Sequence, residues 1–538
     1  MTAMKEWWRS AVIYQVYPRS FLDASGDGIG DLAGIIARLD HIAQLGADIV
    51  WISPFYPSPM KDFGYDVSDY RGVDPIFGSL EDFSALIERA NKLNLKVMID
   101  LVLSHTSDRH PWFIESRTDC TNAKAEWYVW ADPKQDGTPP NNWLSIFGGS
   151  AWEWDTRRRQ FYMHNFLTAQ PDLNFHNPEV VDAVLDAARF WLELGVHGFR
   201  LDTVNWYFHD EQLRDNPPSS GEKLPYVPEA SNYNMQAHVY NKSRPEVLPF
   251  LERLRALMNE FGAIGLGELT AKDAVQMMPA YTQRDRYLQM VYTFSLLGEQ
   301  LSAAHIKQTI KDVEENLGSG WVCWALSNHD VTRVVSRWGS SAVSQQQQAK
   351  LFMALLLSLR GAVCLYQGEE LGLTEANIEF EDLQDPYGIR LRPEYKGRDG
   401  CRTPMPWRSD GAYAGFSDVK PWLPIPEEHL SQSVGAQADD PESVLSFTKS
   451  FLAWRKSQPA LVQGDITLLE SAAPLVAFER SNGMQTILAV FNTSEQAIAF
   501  DGSRYNNRLK PIEMGAFNNR CSGDRVELAG YSAFFAQI

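Results

Sequence analysis

The stretch His197-Gly-Phe-Arg-Leu-Asp202 decides the fold, because it is a short apolar strand that ends in charged residues and directly follows a helix. The preceding helix begins at Asn177-Pro178, a favourable N-cap and first-turn pair, and it ends at Gly195. A helix that leads straight into a strand is the repeating unit of a parallel sheet. The apolar side of this helix is formed by Val181, Val184, Leu185, Ala188 and Trp191.

The same order of elements occurs twice upstream. Leu32–Leu45 has helical periodicity and is followed by the strand Asp48-Ile-Val-Trp-Ile-Ser53. Ser79 and Asp82 have the spacing of a capping box at the start of another helix, which precedes the strand Lys96–Val102. Further predicted strands are Val12–Tyr17, Ile264–Gly267, Val322–Ser327 and Ala362–Gln367.

Helix–strand units repeated along the chain predict parallel strands that are joined by helical crossovers. About eight such units close a barrel. A doubly wound open sheet is the alternative, but the Gly-rich phosphate loop expected after its first strand is missing here. We therefore predict an α/β fold that is built on a (β/α)8 TIM barrel.

Two long stretches interrupt this pattern. Residues 104–175, rich in Trp, Asn, Asp and Gly, follow the third strand, and residues 205–245 follow the fourth. Beyond a helix near Ser443–Lys456 the pattern changes to strands such as Gln485–Phe491 and Ala497–Phe500. We predict a barrel domain A at 1–103 and 176–457, an inserted domain B at 104–175, and a C-terminal antiparallel β-sandwich domain C at 458–538.

Composition narrows the class of protein. The formal net charge is −19, and no Lys/Arg cluster supplies the basic surface that a nucleic-acid binder needs. The five cysteines are scattered without a CxxC pair, which argues against a disulfide framework and a zinc site. The N-terminus lacks an apolar signal stretch, and no segment reaches the roughly 18 apolar residues of a membrane span. We expect a cytoplasmic monomer or homodimer that binds neither nucleic acid nor membrane.

Ionisable residues stand at the ends of four predicted strands, where barrels of this kind place their active sites. An acid at one strand end is often a helix cap or a buried ion pair, but four such ends together favour a catalytic site. Arg200 and Asp202 have i, i+2 spacing and so lie on one face of their strand. The residues at these ends are Asp100 and His105, Arg200 and Asp202, Glu268, and His329 and Asp330.

Cleavage of an acetal needs two carboxyl groups in different states of protonation. One must donate a proton to the leaving oxygen, and the other must be ionised to attack or stabilise the sugar. Arg200 beside Asp202 favours an ionised nucleophile, whereas Glu268 near Asp202 and Asp330 favours a carboxyl that keeps its proton.

The motifs resemble those of the α-amylase superfamily of glycoside hydrolases (family 13), within its oligo-1,6-glucosidase/α-glucosidase branch. The resemblance covers essentially the whole chain, and the order and spacing of the motifs make it very specific. They are Asp100-Leu-Val-Leu-Ser-His105, Gln170-Pro-Asp-Leu-Asn174, Gly198-Phe-Arg-Leu-Asp202, Gly267-Glu268, Asn328-His-Asp330 and Arg398-Asp-Gly-Cys-Arg-Thr-Pro-Met-Pro-Trp407.

The resemblance implies a retaining mechanism and an exo-acting α-glucosidase. Asp202 is then the nucleophile of a covalent β-glucosyl intermediate, Glu268 the acid and base, and Asp330 the residue that grips the sugar hydroxyls in the transition state. Residues that match the glucose subsite −1 are His105, Arg200, His329, Asp62 and Tyr65, with Arg398 joining Asp62 at the terminal 4-hydroxyl. Phe147, Phe166 and Phe294 are candidates for the apolar wall, although core packing explains these three equally well.

Thr203 follows the nucleophile directly. In the branch that the chain resembles, Val at this position accompanies α-1,6 cleavage, whereas Thr or Ala accompanies α-1,4 preference. A residue beside the attacking carboxylate shapes the space for the leaving sugar. We therefore predict that maltose-like α-1,4 bonds are preferred over isomaltose.

Asp23-Ala-Ser-Gly-Asp27-Gly-Ile-Gly-Asp31 resembles an Asp-rich cation loop. Hard cations take oxygen ligands at this spacing, so the resemblance implies a structural Ca²⁺, or Mg²⁺, and no organic cofactor. An ordinary Asp/Gly-rich turn is the alternative, and Ser25 stands where the branch often has Asn. Ser104 replaces the Asn of a second calcium site, which we do not predict. The expected ligands are Asp23, Ser25, Asp27, the Ile29 carbonyl and Asp31.

The expected partners are small α-glucosides and hydroxyl acceptors, since water and an acceptor alcohol compete for one covalent intermediate. Oligo-1,6-glucosidase, dextran glucosidase, sucrose isomerase and trehalose synthase share most of these motifs and remain alternatives. A remote alternative is a non-catalytic relative, such as the amino-acid-transporter subunits that keep this barrel. That alternative is disfavoured because Asp202, Glu268 and Asp330 are all in place and no membrane span exists.

Overall fold

The structure is a computed structural model that describes residues 6–221, 224, 227–283, 286–299 and 301–538. All predicted site residues lie within these ranges, whereas the first five residues of predicted domain A and part of the 205–245 stretch lie outside them. The strands are β1 (Val12–Val16), β2 (Ile49–Ile52), β3 (Lys96–Leu101), β4 (Trp130–Ala131), β5 (Trp152–Asp155), β6 (Gln160–Met163), β7 (Gly198–Leu201), β8 (Ile264–Leu269), β9 (Met290–Thr293), β10 (Cys323–Ala325), β11 (Ala362–Tyr366), β12 (Asp465–Leu468), β13 (Leu475–Ser481), β14 (Thr486–Asn492), β15 (Ile498–Asp501), β16 (Lys510–Ile512), β17 (Arg520–Ser522), β18 (Arg525–Leu528) and β19 (Ser532–Gln537).

The α-helices alternate with the strands of the first two thirds of the chain. They are α1 (Leu32–Leu45), α2 (Leu80–Lys92), α3 (Pro111–Ser116), α4 (Pro178–Glu193), α5 (Val247–Glu260), α6 (Ala274–Tyr281), α7 (Ala303–Asn316), α8 (Val334–Trp338), α9 (Gln345–Ser358), α10 (Pro386–Leu391), α11 (Glu427–Ser431), α12 (Val434–Gln437), α13 (Val444–Ser457) and α14 (Pro459–Gln463).

The central sheet has eight parallel strands in the order β10-β11-β1-β2-β3-β7-β8-β9. An isolated parallel bridge between Val291 of β9 and Val322, next to β10, joins the two ends of this order. The predicted TIM barrel is thereby confirmed. Its first strand pairs with its last, with Val12 opposite Val363.

Local sequence explains where the barrel helices begin and end. Ser79 and Asp82 form a reciprocal capping box at the start of α2, as the sequence predicts. Asn177 accepts a hydrogen bond from the Glu179 amide at the start of α4. Helix α1 ends at Gly46, whose φ of 98° lies in the left-handed region that glycine adopts without strain.

The sixth barrel strand, β9, was not among the strands that the sequence indicated. Its four residues, Met290–Thr293, follow the short helix α6, which contains Pro279 and therefore lacks a clear helical pattern. The other seven barrel strands lie within about two residues of their predicted bounds.

Antiparallel sheets occupy the C-terminal part of the chain. A five-stranded sheet, β12-β13-β14-β19-β16, and a three-stranded sheet, β15-β18-β17, share an apolar cluster that includes Val490, Phe500, Val526 and Phe534. The strands thus pack face to face, as in the predicted sandwich. A further three-stranded sheet, β4-β6-β5, lies within residues 104–175. The exact domain boundaries stay predictions.

Among the described residues, no helix combines the length and the apolar character that crossing a bilayer requires.

Candidate active site

A pocket opens at the carboxyl ends of the barrel strands. It brings together the predicted catalytic and substrate-binding residues, with the exception of Arg200, which lies buried beneath it. Residues from the long stretches after β3 and β7 and from the segment after β11 complete its wall. The lining residues are Asp62, Tyr65, His105, Ile146, Phe147, Phe166, Asp202, Thr203, Trp206, Glu268, Thr270, Phe294, His329, Asp330, Tyr387, Tyr395 and Arg398.

Arg200, on β7, is fully buried and holds three carboxyl groups at once. Its Nη1 donates to Asp100 Oδ1 and to Asp202 Oδ1, at 2.7 Å in each case. Its Nη2 donates to Glu268 Oε2 at 2.5 Å and to Tyr292 Oη at 2.8 Å. Burial disfavours the guanidinium charge, but the facing carboxylates raise the pKa of Arg200 well above its ordinary value. It stays a cation, and it fixes the relative positions of the nucleophile and acid candidates.

Glu268 is the catalytic candidate whose carboxyl favours its protonated form. Burial raises its pKa well above the usual range, and although Arg200 opposes this effect, the negative charges of Asp202 and Asp330 add to it. Arg200 and the Thr203 amide, at 3.1 Å, both donate to Oε2. Oε1 is therefore the oxygen that can hold a proton for the pocket. The asymmetry between Glu268 and an ionised partner is what acid-assisted cleavage requires.

Asp330 has the opposite environment. Its Oδ1 accepts hydrogen bonds from Arg398 Nη1 and Arg402 Nη2, each at 3.0 Å. Burial alone would raise its pKa, but His329 and these two guanidinium groups hold the pKa far below its usual range. Burial also lowers the pKa of His329 to about 3, so the arginines supply the positive charge at neutral pH. Asp330 is therefore ionised near neutral pH.

Arg398 closes one end of the pocket by joining three carboxylates. Its Nη2 lies 2.9 Å from Asp62 Oδ1 and 2.8 Å from Asp385 Oδ1, while Nη1 contacts Asp330. The backbone N–H of Arg398 and its Nε also donate to Asp385 Oδ2, at 2.7 and 3.0 Å. Burial raises the pKa of Asp62 to about 6 in spite of Arg398. The closed end presents both a carboxyl and a guanidinium to a ligand.

A chain of hydrogen bonds orients His329 and Tyr65. Gln15 Nε2 lies 2.8 Å from His329 Nδ1, and Tyr65 Oη lies 2.6 Å from His329 Nε2. Since Gln15 can only donate through this nitrogen, His329 carries its own proton on Nε2. Tyr65 Oη then donates to Asp100 Oδ2 at 3.1 Å. The two rings stack with centroids 5.3 Å apart.

His105 and Thr203 complete the polar floor. Burial lowers the pKa of His105 to about 4, and its Nδ1 and Nε2 contact Ser104 Oγ and the Tyr65 carbonyl. Thr203 has a φ of 38°, a strained left-handed conformation for a β-branched residue. Its Oγ1 donates to Asp202 Oδ2 at 3.2 Å. The strained turn places this hydroxyl directly on the candidate nucleophile.

Aromatic rings surround the rest of the pocket. Phe147 packs against Tyr387 with centroids 4.8 Å apart, and Phe166 packs against Trp206 at 5.1 Å. Arg398 lies 5.4 Å from the centre of the Phe147 ring. Phe147, Phe166 and Phe294 all line the pocket, while Phe294 also belongs to the apolar core of the barrel and Phe166 packs against a smaller apolar cluster, so these two rings also take part in apolar packing.

Several residues of the site gave no signal in the sequence. Asp385 caps the short helix α10, Tyr387 lies in its first turn, and Tyr395 follows shortly after it. Asp385-Pro386 is a helix-start pair, but such a pair does not indicate a place in the pocket. Trp206 and Thr270 follow the predicted acids at spacings of four and two residues. Such proximity to Asp202 and Glu268 was the one signal that could have found this pair.

The predicted cation loop holds its carboxylates in hydrogen bonds of its own. Asp23 accepts from three backbone amides of the loop, Asp31 accepts from the Ser25 amide at 2.8 Å, and Asp27 accepts from the Ile29 amide at 2.8 Å. In the part of the chain that the structure describes, no group of three or more His, Cys, Asp or Glu side chains is arranged to hold a metal ion. The arrangement is that of an Asp-rich turn, and the cation stays a prediction.

Comparisons with known proteins place this geometry in context. The profile of the α-amylase catalytic domain matches residues 15–464. A probable alpha-glucosidase of Rhizobium meliloti (strain 1021) is 54% identical over 99% of this chain and 97% of its own length. An oligo-1,6-glucosidase of Heyndrickxia coagulans is 36% identical over 94% of this chain and 95% of its own. Among solved structures, the alpha-glucosyl transfer enzyme XgtA is 53% identical, with a TM-score of 0.96 and coverage of 99% of both chains.

Proposed function

The chain belongs to the α-amylase family, and from this premise we propose that it is a retaining, exo-acting α-glucosidase. It removes terminal α-glucose from short α-glucosides, prefers α-1,4 bonds, and passes glucose to hydroxyl acceptors as well as to water. The observation that carries the proposal is the single guanidinium of Arg200 between Asp202 and Glu268.

The retaining mechanism is supported by the way in which Arg200 holds both acids. Two carboxyl groups on the two terminal nitrogens of one guanidinium fit the short separation of retaining enzymes, about 5–5.5 Å, better than the wider one of inverting enzymes. Glu268 protonates the glycosidic oxygen, Asp202 attacks the anomeric carbon, and the bond to the leaving group breaks. Glu268 then accepts a proton from water or an alcohol, whose oxygen displaces Asp202 and releases the sugar.

Exo action is supported by the closed end of the pocket. Asp62 and Arg398, linked at 2.9 Å, offer an acceptor and a donor to the terminal 4-hydroxyl of a bound glucose. A chain that continued beyond that hydroxyl would collide with this ion pair. Asp330 faces the same pocket and can accept bonds from the remaining hydroxyls, and the neutral His329 lines the pocket beside it.

The α-1,4 preference rests on Thr203, whose hydroxyl contacts Asp202. The second candidate function is α-1,6 cleavage, which is suggested by the likeness to the Heyndrickxia coagulans protein named an oligo-1,6-glucosidase. Hydrolysis rates on maltose and isomaltose separate the two. A strong preference for isomaltose would contradict our proposal, and replacement of Thr203 by Val should shift the ratio toward isomaltose.

Transfer is supported by the likeness to XgtA, a structure described as an alpha-glucosyl transfer enzyme. The decisive experiment is product analysis after incubation with maltose, with and without an added alcohol. We expect free glucose in both cases, and an α-glucoside of the alcohol in the second. Incubation with sucrose in parallel would detect an isomerase through its isomeric disaccharide products.

A structural Ca²⁺ or Mg²⁺ on the Asp23–Asp31 loop, a cytoplasmic location and a monomeric or homodimeric state complete the proposal. The loop would supply carboxylate and carbonyl oxygens to such an ion, at the start of α1. Thermal unfolding with and without EDTA tests the ion: bound cation predicts a lower unfolding temperature in EDTA that added Ca²⁺ restores, and no shift would contradict it.

A further inference from the structure

Lys242 is a buried lysine behind the wall of the pocket, and the proposed chemistry gives it no role. Only 4% of its surface is exposed. Its Nζ lies 4.5 Å from the centre of the Trp206 ring and 3.4 Å from the carbonyl oxygen of Thr270. Burial lowers the pKa of Lys242 to about 7, so placing an amine here is costly. A methionine would fill the same space if packing were the only requirement.

Trp206 and Thr270 line the pocket, and under the proposed mechanism they lie on the side that receives the leaving group. Thr270 follows Glu268 by two residues at the end of β8, and Glu268 must reach the oxygen of the leaving group. Asp62 and Arg398 hold the opposite end of the glucose, because the 4-hydroxyl lies across the ring from the anomeric carbon. An acceptor alcohol enters where the leaving group departs.

Hydrogen bonds tie the segment after the nucleophile to the segment after the acid. Trp206 Nε1 donates to Thr270 Oγ1 at 2.5 Å. Asn205 accepts from the Thr270 amide at 3.2 Å and donates to the Thr270 carbonyl at 3.0 Å. Lys242 donates to the same carbonyl while its ammonium lies over the Trp206 ring, an attraction that strengthens when water is excluded. It therefore contacts both segments at their junction.

We propose that Lys242 is a positioning residue for the leaving-group and acceptor subsite, where it fixes the Trp206 ring and the Thr270 carbonyl. The ligands of this subsite are neutral hydroxyl compounds, a sugar or an alcohol, whose apolar face packs on Trp206. Lys242 thus sets how tightly a leaving sugar or an acceptor binds, and it leaves the reaction at the anomeric carbon unchanged. The inference rests on the proposed glucosyl transfer.

The test compares donors that do and do not reach this subsite. α-Glucosyl fluoride releases a small ion that makes no contact with Trp206, whereas the leaving glucose of maltose must lie against it. For Lys242→Met we expect kcat/KM on α-glucosyl fluoride within about threefold of the unmodified enzyme, and KM for maltose raised by about fivefold or more. With α-glucosyl fluoride as donor and benzyl alcohol as acceptor, the ratio of transfer to hydrolysis should fall by about fivefold or more.

Lys350→Met is the matched control, because Lys350 is also buried and donates to a backbone carbonyl, that of Glu442, remote from the pocket. It should change none of these values. Lys242→Gln keeps a donor for the Thr270 carbonyl without the charge, so its effect should be intermediate, and it replaces Lys242→Met if circular dichroism shows that variant unfolded.

If Lys242→Met lowered kcat/KM equally on α-glucosyl fluoride and on maltose, or on neither, the inference would be overturned. Failure of the proposed function gives a different result, namely that the unmodified enzyme releases no glucose from either donor. If the unmodified enzyme hydrolyses both donors without transfer, the split between the two donors still decides the role of Lys242.

Discussion

One guanidinium, that of Arg200, faces three carboxyl groups in a space from which water is largely excluded. A single positive charge cannot balance three negative ones there, so protons remain on part of the cluster near neutrality. Burial raises the pKa of Asp100 as it does that of Glu268. Asp330 lies outside this group because Arg398 and Arg402 both donate to its Oδ1. Glu268 and Asp330 thus differ in protonation because Glu268 shares one arginine with two other carboxyl groups, whereas Asp330 contacts two arginines.

The first prediction concerns Glu268 as proton donor. Glu268→Gln should lower kcat/KM on maltose by about a hundredfold or more, because the leaving glucose needs a proton. The same variant should form the covalent intermediate far more readily from α-glucosyl fluoride than from maltose, since fluoride leaves without a proton. Steady-state and burst kinetics on the two donors measure this difference. Equal losses on both would assign the acid role elsewhere.

The second prediction concerns Asp385, which the sequence did not indicate. Asp385→Asn removes the charge that three donors of Arg398 contact, so Arg398 should no longer be held against Asp62. We expect KM for maltose to rise by about tenfold with a smaller change in kcat. The exposed neighbour Glu381, replaced by Gln, is the control and should leave both constants unchanged.

The sequence predicted the residues of the site best where they stand at strand ends or in motifs. Asp202 and Glu268 end strands of the barrel, so their convergence follows from the fold. Tyr387 lies in the short helix α10, which Asp385 caps, and Tyr395 follows in irregular chain, so that the path of this segment depends on tertiary contacts that no periodicity encodes.

At the scale of elements, helix α2 has the strongest local signature in the barrel. The Ser79 hydroxyl accepts from the Asp82 amide, while the Asp82 carboxylate accepts from the Ser79 amide at 2.9 Å. Such reciprocal bonds satisfy donors that the first helical turn otherwise leaves unpaired. The predicted start of this helix agrees with the observed one because the signal is local. Strand β9 lacks any signal of this kind, and the sequence did not reveal it.

The third prediction tests this cap. Ser79→Ala should destabilise the first turn of α2 by about 1 kcal/mol, the usual cost of losing a serine N-cap. Amide hydrogen exchange should then accelerate by about fivefold at residues 80–83 and stay unchanged at the end of the helix. Ser84→Ala, at an exposed position in the middle of α2, is the control. Uniform acceleration along the whole helix would contradict a role confined to the cap.

At the scale of the whole molecule, the buried carboxyl groups of the active site lower the stability of the folded protein when they ionise. Folding raises the pKa of Glu268, so the stability that this group contributes is present at acidic pH and is lost as the pH rises through its folded pKa. The burial of apolar side chains in the barrel core offsets the unfavourable free energy of this cluster of like charges.

The fourth prediction follows from that sign. The unfolding temperature of Glu268→Gln should exceed that of the unmodified enzyme at about pH 9, and the difference should shrink toward about pH 5. Differential scanning calorimetry across this range measures it. Glu88→Gln, which changes an exposed glutamate paired with Lys92, should show no comparable trend. A difference in unfolding temperature that grows toward acidic pH would contradict the raised pKa of Glu268.

The pairing of β1 with β11 has a consequence for how the protein is made. Val12 pairs with Val363 in the closed barrel, so it has no strand partner on that side until Val363 is synthesised. At a synthesis rate of about 5–20 residues per second, the ribosome needs about 20–70 s to supply that partner. During this interval the nascent chain carries an unpaired apolar strand edge, which chaperones are able to recognise. Protein yield in the cell therefore depends on how that edge is protected before residue 366 emerges, as well as on the stability of the finished barrel.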